Sequence, residues 1–430
     1  MNSERAYQPG GWGRMERARI EQGSLNLTPS QEGTSYAGST AANSHMDDDG
    51  KTQFSTYSYR SNQDDSLVKV VDGRIINALS DQYYLPTDDP EWARLDKQHT
   101  AVTLGLSGLY PAKQEVRAIL ARADGDTKRI LDLGCGTGVW TIGMAYEFPH
   151  AEVVGIDLAQ VPLDAESLPP NCRFEVDNIN MGLSHFESQF DVVHVRFVGS
   201  GLKDFPQRMK DIHACLKPGG IVLWLDVDYD VYFTEEFSYI PSATDTNPEG
   251  SWMQRPLAEM RRACIKFGSD VASMESMLDA GLWQDPVMDP ESCKTASLFL
   301  PIGPWASHPD PAVTQLLRYT GALIRQDTTN GFKSIVPLLL RVGWSKETVD
   351  MWTAKQATES AAMVNKPSMR VRIAWGRRKP AEPLPVQSEE ITGDSVVYPF
   401  YYVYDTEELA LEQTAKRNKG KGGQLPPLPC

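Results

Sequence analysis

The sequence predicts an α/β fold in which helices cover both faces of a mostly parallel β-sheet. Two observations support this prediction. From residue 128 onward, short buried segments alternate with amphipathic ones, as strands and helices do in sheets built from crossover connections. The first buried segment, ILDLG, runs directly into the glycine-rich turn CGTG and then into a helical pattern. Right-handed crossovers place such successive strands side by side in one sheet.

Five strands and several helices are predicted in chain order. The strands are RILDLG, AEVVGIDL, CRFEVDNI, FDVVHVRF and IVLWLDVD, and the helices among them are VWTIGMAYEF and FPQRMKDIHACLKPGG. Helical patterns resume at RPLAEMRRACIKF and continue to SKETVDMWTAKQATESAAMV, whose expected N-cap is Ser345. MRVRIAWGRRKP then has the composition of a last strand.

Composition and periodicity divide the chain into four regions. Residues 1–65 are rich in Ser, Gly, Asn, Asp and Thr and are expected to form a disordered extension. Residues 66–127 contain two helical patterns and are expected to form an N-terminal cap. Residues 128–380 hold the sheet, with a helical and aromatic insertion near 229–345 that is expected to act as a lid. The Pro- and Glu-rich residues 381–430 are expected to form a poorly ordered tail.

The overall composition limits the class of function. The 430 residues include 42 Lys and Arg against 57 Asp and Glu, and this charge of −15 argues against direct nucleic-acid binding. The six cysteines are scattered without a CxxC pair, so neither a metal site nor a disulfide scaffold is expected. Because no signal peptide and no long apolar run are visible, we expect an intracellular protein without a membrane span. The sequence leaves cytoplasm and nucleus open.

The loop GCGTG is the most informative motif. Gly134 and Gly136 fit the dinucleotide pattern G-x-G-x-x-G, but Val139 stands where the third glycine is required and Gly138 falls one residue early. A phosphate-binding P-loop is excluded as well, since no Gly-Lys-Ser/Thr follows. Asp132 at the end of the preceding strand would also repel a pyrophosphate. The loop therefore predicts a ligand that allows close backbone approach but carries no phosphate.

S-adenosylmethionine meets these requirements. Its ammonium and sulfonium groups outweigh its one carboxylate, so acidic residues such as Asp132 would stabilise it. Asp157 ends the second strand, where a carboxylate would accept hydrogen bonds from both ribose hydroxyls. Asp177, with Asn178, ends the third strand, where a polar side chain would meet the adenine amino group. The glycine loop and these three strand ends together predict a site for this cofactor.

The sequence around these motifs resembles a known family. ILDLGCGTGVWTIGMA, VVGIDL, FDVVHVR and CLKPGG are similar to class I S-adenosylmethionine-dependent methyltransferases. YYLPTDDPEWARLDKQH, GLYP, PIGPW and GWSKETVDMW are similar to the LaeA-like fungal methyltransferases. The resemblance covers roughly residues 70–380, and it implies a Rossmann-like sheet of seven strands whose last strand, VRIAWGRRKP, is antiparallel. The family often ends near residue 380, so the aromatic segment VVYPFYYVYD departs from it.

Methyl transfer from a sulfonium depends on alignment and exclusion of water more than on acid–base chemistry. We expect the acceptor at the carboxyl ends of the fourth and fifth strands. Residues 229–240 and the segment YYLP are candidate lids, although ordinary core packing explains either equally well. For a hydroxyl or amine acceptor, His194 and His99 are weak candidate bases, each of which a structural role also explains. Arg196 would pair with an acidic acceptor or with a nearby carboxylate.

Two functions lead at this point. The first is transfer of a methyl group to a small-molecule acceptor, in fungal secondary-metabolite biosynthesis. The second, implied by the LaeA-like resemblance, is a nuclear regulator of secondary-metabolite gene expression that acts through protein partners. The polar N-terminal extension would suit the binding of such partners. A protein or other macromolecular acceptor is a third, smaller alternative.

Overall fold

A computed structural model of the chain describes residues 57–58, 67–80, 83–122, 125–164, 167–380, 398–419, 421 and 425–429. The predicted N-terminal extension lies outside these ranges apart from residues 57–58. In chain order the strands are β1 (Tyr57–Ser58), β2 (Val68–Val71), β3 (Arg74–Asn77), β4 (Arg129–Leu133), β5 (Glu152–Asp157), β6 (Cys172–Val176), β7 (Phe190–Arg196), β8 (Leu216–Phe233), β9 (Ser238–Tyr239), β10 (Lys294–Pro301), β11 (Ser368–Arg377) and β12 (Tyr401–Tyr404). The helices are α1 (Asp89–Leu106), α2 (Lys113–Ile119), α3 (Val139–Glu147), α4 (Phe205–Ala214), α5 (Gln254–Lys266), α6 (Val271–Ala280), α7 (Pro311–Ser334), α8 (Val336–Val342), α9 (Lys346–Ala362) and α10 (Glu407–Asn418).

One large sheet organises the described part of the chain. Its strands follow the order β1-β6-β5-β4-β7-β8-β11-β10-β12, and β9 pairs with β8 beside this path. Strands β4 to β8 pair in parallel, whereas β11 is antiparallel to both β8 and β10. Within the described ranges, strands β4 to β8 with β10 and β11 form the seven-stranded sheet that was expected. The prediction of an antiparallel last strand is confirmed, and β1, β9 and β12 are additions to this sheet.

The central strands are buried on both faces, because their side chains alternate between two hydrophobic cores. In β7, Val192 packs into the core that contains residues of α1, α3 and α7. Its neighbour Val193 packs into the opposite core, with residues of α4, α5 and α6. A strand buried on both faces appears in sequence as a continuous apolar run, which is why the strands of this region were recognisable. The helices therefore cover both faces of the sheet, as predicted.

Several helices begin at side-chain caps, among them α9 and α1. Ser345, the predicted N-cap of α9, accepts a hydrogen bond from the backbone N–H of Thr348. Asp88 accepts one from the backbone N–H of Glu91 at the start of α1. Each cap satisfies a donor that would otherwise lack an intrahelical partner. None of the helices in the described ranges is long and apolar enough to cross a membrane.

The insertion predicted near residues 229–345 is not a single segment. Strand β8 continues to Phe233, so the first aromatic residues of the interval belong to the sheet. Strand β10, which was not predicted, crosses the interval and separates α5 and α6 from the three helices that follow. The run ASLFLP within β10 is continuously buried, and Ser297 is its one polar residue. Periodicity does not separate such a short run from a buried helix segment, which explains the missing strand.

The regions that flank the sheet also differ from the predictions. The N-terminal cap begins with the antiparallel pair β2–β3, joined at Asp72 and Gly73, before its two helices. The tail is not uniformly loose, because β12 pairs with β10 along the sheet edge and Ala410 of α10 is buried. Aromatic residues favour strands, and acidic residues at the start of α10 with basic ones at its end favour a helix. Residues 381–397 lie outside the described ranges.

Candidate active site

A cleft beside the glycine loop, which we call the loop cavity, lies at the carboxyl ends of β4, β5, β6 and β7. Its empty volume is about 870 Å³, part of which is open to solvent. The glycine loop, the residues that follow β5, β6 and β7, and part of α1 line it. Ligands of open α/β sheets bind at this edge, so the loop cavity is the candidate cofactor site.

The glycine loop has a backbone that other residues adopt only with strain. Gly134, Gly136 and Gly138 have φ angles of 74°, 56° and 76°, in the left-handed region. A Cβ atom on Gly134 would lie 2.2 Å from Cγ1 of Val198, and one on Gly138 would lie 2.6 Å from Cζ of Phe174. Gly134 and Gly136 line the cavity, whereas Gly138 does not and instead occupies the N-cap of α3. Gly138 thus supports the loop against β6, and its predicted contact with the cofactor stays a prediction.

Two of the predicted acidic strand ends face the loop cavity. Asp157 accepts hydrogen bonds from the backbone N–H groups of Gly136 at 2.8 Å and Ala159 at 3.0 Å. Burial raises the pKa of Asp157, and these donors oppose the rise. Burial also raises the pKa of Asp177, which lines the cavity together with Asn178. The second and third strands thus deliver the polar groups that the sequence predicts.

The other two predicted residues of the central strands do not line the cavity. Oδ1 of Asp132 lies 2.8 Å from Nδ1 of His194, and Oδ2 accepts a hydrogen bond from Thr141 at 2.6 Å. The ring of His194 stacks on Trp140 with 3.7 Å between centroids. Burial lowers the pKa of His194, although Asp132 opposes this shift. Asp132 thus links the sheet to α3, and the roles predicted for Asp132 and His194 at the ligand stay predictions.

His99 and Arg196 meet at the wall of the loop cavity. Nη2 of Arg196 donates a hydrogen bond to Nδ1 of His99 at 3.1 Å. Since a guanidinium only donates, Nδ1 accepts and Nε2 carries the hydrogen, 3.4 Å from Oγ1 of Thr103. Burial and the charge of Arg196 lower the pKa of His99 well below its usual range. His99 is therefore a neutral ring whose free nitrogen is already occupied, and its role as a base stays a prediction.

Arg196 is a partly buried cation on the wall of the loop cavity. Burial lowers its pKa to about 10. No carboxylate of the described residues lies within ion-pair distance of its guanidinium, so the alternative in which it bridges to a nearby carboxylate is not observed. A partly buried charge without an ionic partner carries a desolvation cost. An anionic group of a ligand would offset this cost.

A second cleft, which we call the helical cavity, lies at the end of β8 beneath α1, α5 and α7. Its empty volume is about 910 Å³. Tyr83, Leu95, Gln98 and Phe197 line both clefts, so the two are direct neighbours. Tyr83 belongs to the segment YYLP, which therefore lies where the predicted lid was expected. The other candidate lid, residues 229–240, begins as part of β8 and forms a wall of the helical cavity instead.

Three carboxylates on β8 were not singled out from the sequence, although their spacing carries a signal. Asp226, Asp228 and Asp230 alternate along LDVDYD and all three line the helical cavity, although the register of β8 against β11 shifts after Val227. Burial raises the pKa of Asp226 to about 6. Burial also acts to raise the pKa of Asp228, but the guanidinium of Arg372 and other nearby cations hold it well below its usual range.

A further charged cluster joins α1 to α7 across the helical cavity. Arg94 lies 2.7 Å from Glu91 and 2.6 Å from Asp327, and all three side chains are buried. Glu91 and Asp327 are more than two hundred residues apart in sequence, so no local pattern predicts that they share a cation. Both belong to helices whose acidic residues look in sequence like part of a solvated face.

Comparisons with known proteins give consistent results. A family of methyltransferase domains matches residues 109–273. The secondary metabolism regulator laeA of Coprinopsis cinerea is 34% identical over 269 residues, which cover 63% of this chain and 63% of that protein. The methyltransferase pytC of Aspergillus terreus is 30% identical over 275 residues, which cover 62% of this chain and 74% of that protein.

Among solved structures, phosphoethanolamine N-methyltransferase 2 of Haemonchus contortus, in complex with S-adenosyl-L-methionine, aligns with a TM-score of 0.33 and 17% identity. This alignment covers 66% of this chain and 57% of that one. The chain spans just under two thirds of the length of the Coprinopsis relative.

Proposed function

Since the chain belongs to the class I S-adenosylmethionine-dependent methyltransferases, of the group with LaeA-like fungal relatives, we propose that it methylates a small-molecule acceptor of fungal secondary metabolism. The cofactor occupies the loop cavity and the acceptor occupies the helical cavity. One observation carries this proposal: the two clefts share four lining residues at the carboxyl edge of the sheet. A methyl group that leaves one cleft therefore has the other as its immediate neighbour.

The residues of the loop cavity fit the chemistry of S-adenosylmethionine. Gly134 and Gly136 leave space where a Cβ atom would reach Val198 or narrow the cleft. Asp157 has lone pairs left to accept from the ribose hydroxyls, since a carboxylate offers about four acceptor positions and two are used here. Arg196 is available for the α-carboxylate of the cofactor. When bound, the cofactor supplies an electrophilic methyl group on a positively charged sulfur.

The helical cavity fits the need to exclude water. Its apolar wall comes from α5, α7 and β11, through Leu257, Met260, Phe332, Ile335 and Met369. Tyr83 and Phe197 close the border with the loop cavity. A dry site strengthens electrostatic interactions with the acceptor and prevents loss of the methyl group to water.

Binding of S-adenosylhomocysteine, the demethylated form of the cofactor, tests the first part of the proposal. By isothermal titration calorimetry we expect the full chain to bind it and Asp157→Ala to bind it about 10- to 100-fold more weakly, since charge-assisted hydrogen bonds are lost. Asp164→Ala, which removes an exposed carboxylate after the same strand, is the matched control and should bind normally. Absence of binding by the unmodified chain would overturn the proposed function.

Arg196 is tested by a pair of ligands that differ in the amino-acid part. S-adenosylhomocysteine has an α-carboxylate, and 5′-deoxy-5′-methylthioadenosine does not. We expect Arg196→Met to weaken the first by about tenfold or more while leaving the second nearly unchanged, because only the first contacts the guanidinium. Equal weakening of both ligands would show that Arg196 supports the fold of the cavity, and its assignment to the carboxylate would be wrong.

A regulatory function is the second candidate, and the similarity to the laeA regulator of Coprinopsis cinerea favours it. In this alternative the cofactor is bound, but the phenotype depends on protein partners of the N-terminal extension. Comparison of metabolites in a deletion strain separates the two. Accumulation of one unmethylated intermediate supports the small-molecule enzyme, whereas loss of many metabolites together supports the regulator. Removal of residues 1–65 should spare the first function and abolish the second.

A further inference from the structure

We propose that the acceptor is an apolar molecule that presents an amine or hydroxyl group as its accepting atom, and that Asp226 binds the N–H or O–H of this group. The inference rests on the proposed function, since it concerns the cleft assigned there to the acceptor. It goes further by naming the chemical class of the acceptor and the side chain that selects it.

The helical cavity combines its apolar wall with an excess of acidic side chains. The acidic and basic side chains that line it are the carboxylates Glu91, Asp226, Asp228, Asp230 and Asp327 and the single guanidinium Arg94. An excess of this kind inside a dry cleft attracts cations and hydrogen-bond donors. Cations of the protein itself neutralise some of these carboxylates.

Two of the carboxylates on β8 are satisfied from outside the cleft. Nη1 of Arg370 and Nη2 of Arg372 lie 3.0 Å and 3.1 Å from the oxygens of Asp228. Nζ of Lys421 lies 2.5 Å from Oδ2 of Asp230. These two carboxylates are therefore committed to the strand β11 and to the segment after α10, and they are not free to select a ligand.

The carboxylates of α1 and α7 are also engaged, although not fully. Arg94 is shared between Glu91 and Asp327, so the three side chains together retain a net negative charge. Ser334 donates to Glu91, and Gln98 lies within hydrogen-bond distance of Asp327. The net negative charge of this cluster contributes to the electrostatic potential of the cleft. The carboxylates of Glu91 and Asp327 already have hydrogen-bond partners.

Asp226 is the lining carboxylate that has no ion pair among the residues the structure describes. Its Oδ2 accepts from the backbone N–H of Gly199 at 2.9 Å, and its Oδ1 accepts from that of Val227 at 2.8 Å. The backbone of Val198 interacts with this carboxylate as well, which leaves about one of its four acceptor positions for a ligand. The charged or titratable groups that interact with it are Arg372 from β11 and Tyr229 from its own strand.

The hydrogen bond to Gly199 places Asp226 at the border of the two cavities. Gly199 begins a short turn, Gly199–Gly201, that follows β7. Within this turn Ser200 lines the helical cavity and Gly201 lines the loop cavity. A donor held by Asp226 is therefore held next to the cofactor site instead of deep beneath α7. Burial raises the pKa of Asp226 only to about 6, so it is ionised at neutral pH and able to accept.

This arrangement discriminates between classes of acceptor. A protonated amine gains a charge-assisted hydrogen bond, and a hydroxyl gains a hydrogen bond to a charged acceptor. A carboxylate would face Asp226 and the excess charge of the Glu91–Arg94–Asp327 cluster, and like charges repel strongly in a cleft of low dielectric. The apolar wall selects for a hydrocarbon or aromatic body.

Three probes of equal size test the proposal on the full chain saturated with S-adenosylhomocysteine. They are 1-naphthylmethylamine, 1-naphthalenemethanol and 1-naphthoate, which share one apolar body and differ in charge. Titration calorimetry at pH 7 should rank the amine first, the alcohol second and the carboxylate last, with the amine about tenfold or more above the carboxylate. Equal or tighter binding of 1-naphthoate, or no measurable binding of any probe, would overturn the proposal.

The variant Asp226→Asn identifies the residue responsible. It should reduce the preference for the amine over the carboxylate by about tenfold, while Asp164→Asn, an exposed carboxylate outside both clefts, should leave it unchanged. Unchanged S-adenosylhomocysteine affinity and melting temperature show that the variant is folded. If Asp226→Asn keeps the preference for the amine over the carboxylate, the role of Asp226 is contradicted. If the variant does not fold, the ranking of the three probes by the unmodified chain still decides the acceptor class. Failure of the chain to bind S-adenosylhomocysteine would instead refute the proposed function itself.

Discussion

The loop cavity and the helical cavity are neighbours, yet the chain builds them in opposite ways. Most of the loop cavity comes from residues 134–202, with backbone groups and short side chains that follow successive strands. The helical cavity draws on segments from Tyr83 to Met369, and its charges are completed by Lys421. The proposed cofactor site is thus built from a local motif, whereas the proposed acceptor site is built from side chains of distant helices. The first kind of site is accessible from sequence and the second is not.

The largest expected effect is the loss of stability when a glycine of the loop is substituted. Gly138→Ala places a Cβ atom 2.6 Å from the ring of Phe174 at a φ of 76°, so it adds a steric clash to backbone strain. We expect about 3–5 kcal/mol of lost stability, measured by urea denaturation. The matched control is Gly73→Ala, with a φ of 77° and no atom within 4 Å of the added Cβ. It should lose only about 1–2 kcal/mol.

Similar losses for the two glycine variants would contradict this explanation. They would show that backbone strain alone accounts for the glycines of the loop. The close approach of the loop to β6, which we take to be specific to the cofactor site, would then have no energetic consequence.

The next largest effect is a pH dependence of folding stability caused by Asp226 in the helical cavity. Burial raises the pKa of Asp226 to about 6, above its value of about 3.9 in an unfolded chain. Between these values the folded protein holds a proton that the unfolded chain has released, so stability contributed by Asp226 increases as the pH falls from 7.5 to 4.5. Relative to Asp226→Asn, the unmodified chain should gain about 2 kcal/mol over this interval in denaturation experiments. A parallel pH dependence of the two proteins would show that Asp226 is not a buried carboxylate.

The smallest expected effect is the loss of stability when Lys421, in the segment after α10, no longer pairs with Asp230 of the helical cavity. Lys421→Met removes the cation 2.5 Å from Asp230 and leaves that partly buried carboxylate without its ion pair. We expect about 2 kcal/mol of lost stability. Lys416→Met, on the exposed surface of α10 in an i,i+4 pair with Glu412, should lose about 0.5 kcal/mol or less. Equal effects of the two lysine substitutions would show that the tail does not contribute to the cavity.

Individual residues show why the sequence predicted the location of the loop cavity. Gly134 and Asp157 were predictable because a strand, a glycine loop and the next strand end lie within a few tens of residues and meet at one sheet edge. The partners of Asp132, Thr141 and His194, are not visible from the strand alone, and its contact with the ligand stays a prediction. A carboxylate at the end of a strand points either to the cleft or into the layer beneath the helix, and the spacing of residues does not distinguish the two.

The helical cavity was predicted only in its general location. The carboxyl ends of the fourth and fifth strands were the expected acceptor site, and the period of two in LDVDYD would have placed Asp226 on the correct face. The contact between Arg94 and Asp327 depends instead on the packing of α1 against α7. Such a contact depends on the tertiary fold, as does strand β10, whose apolar run is ambiguous by itself.

The pairing of β12 with β10, and of Lys421 with Asp230, has a consequence for synthesis on the ribosome. Domains generally fold as the nascent chain emerges, N-terminal parts first. The residues of the glycine loop and of the four strands around it are available when about half of the chain has been made, but Asp230 meets its cation only after translation has passed residue 421. A nascent chain would therefore form the loop cavity early. The helical cavity would be completed among the last steps of its folding.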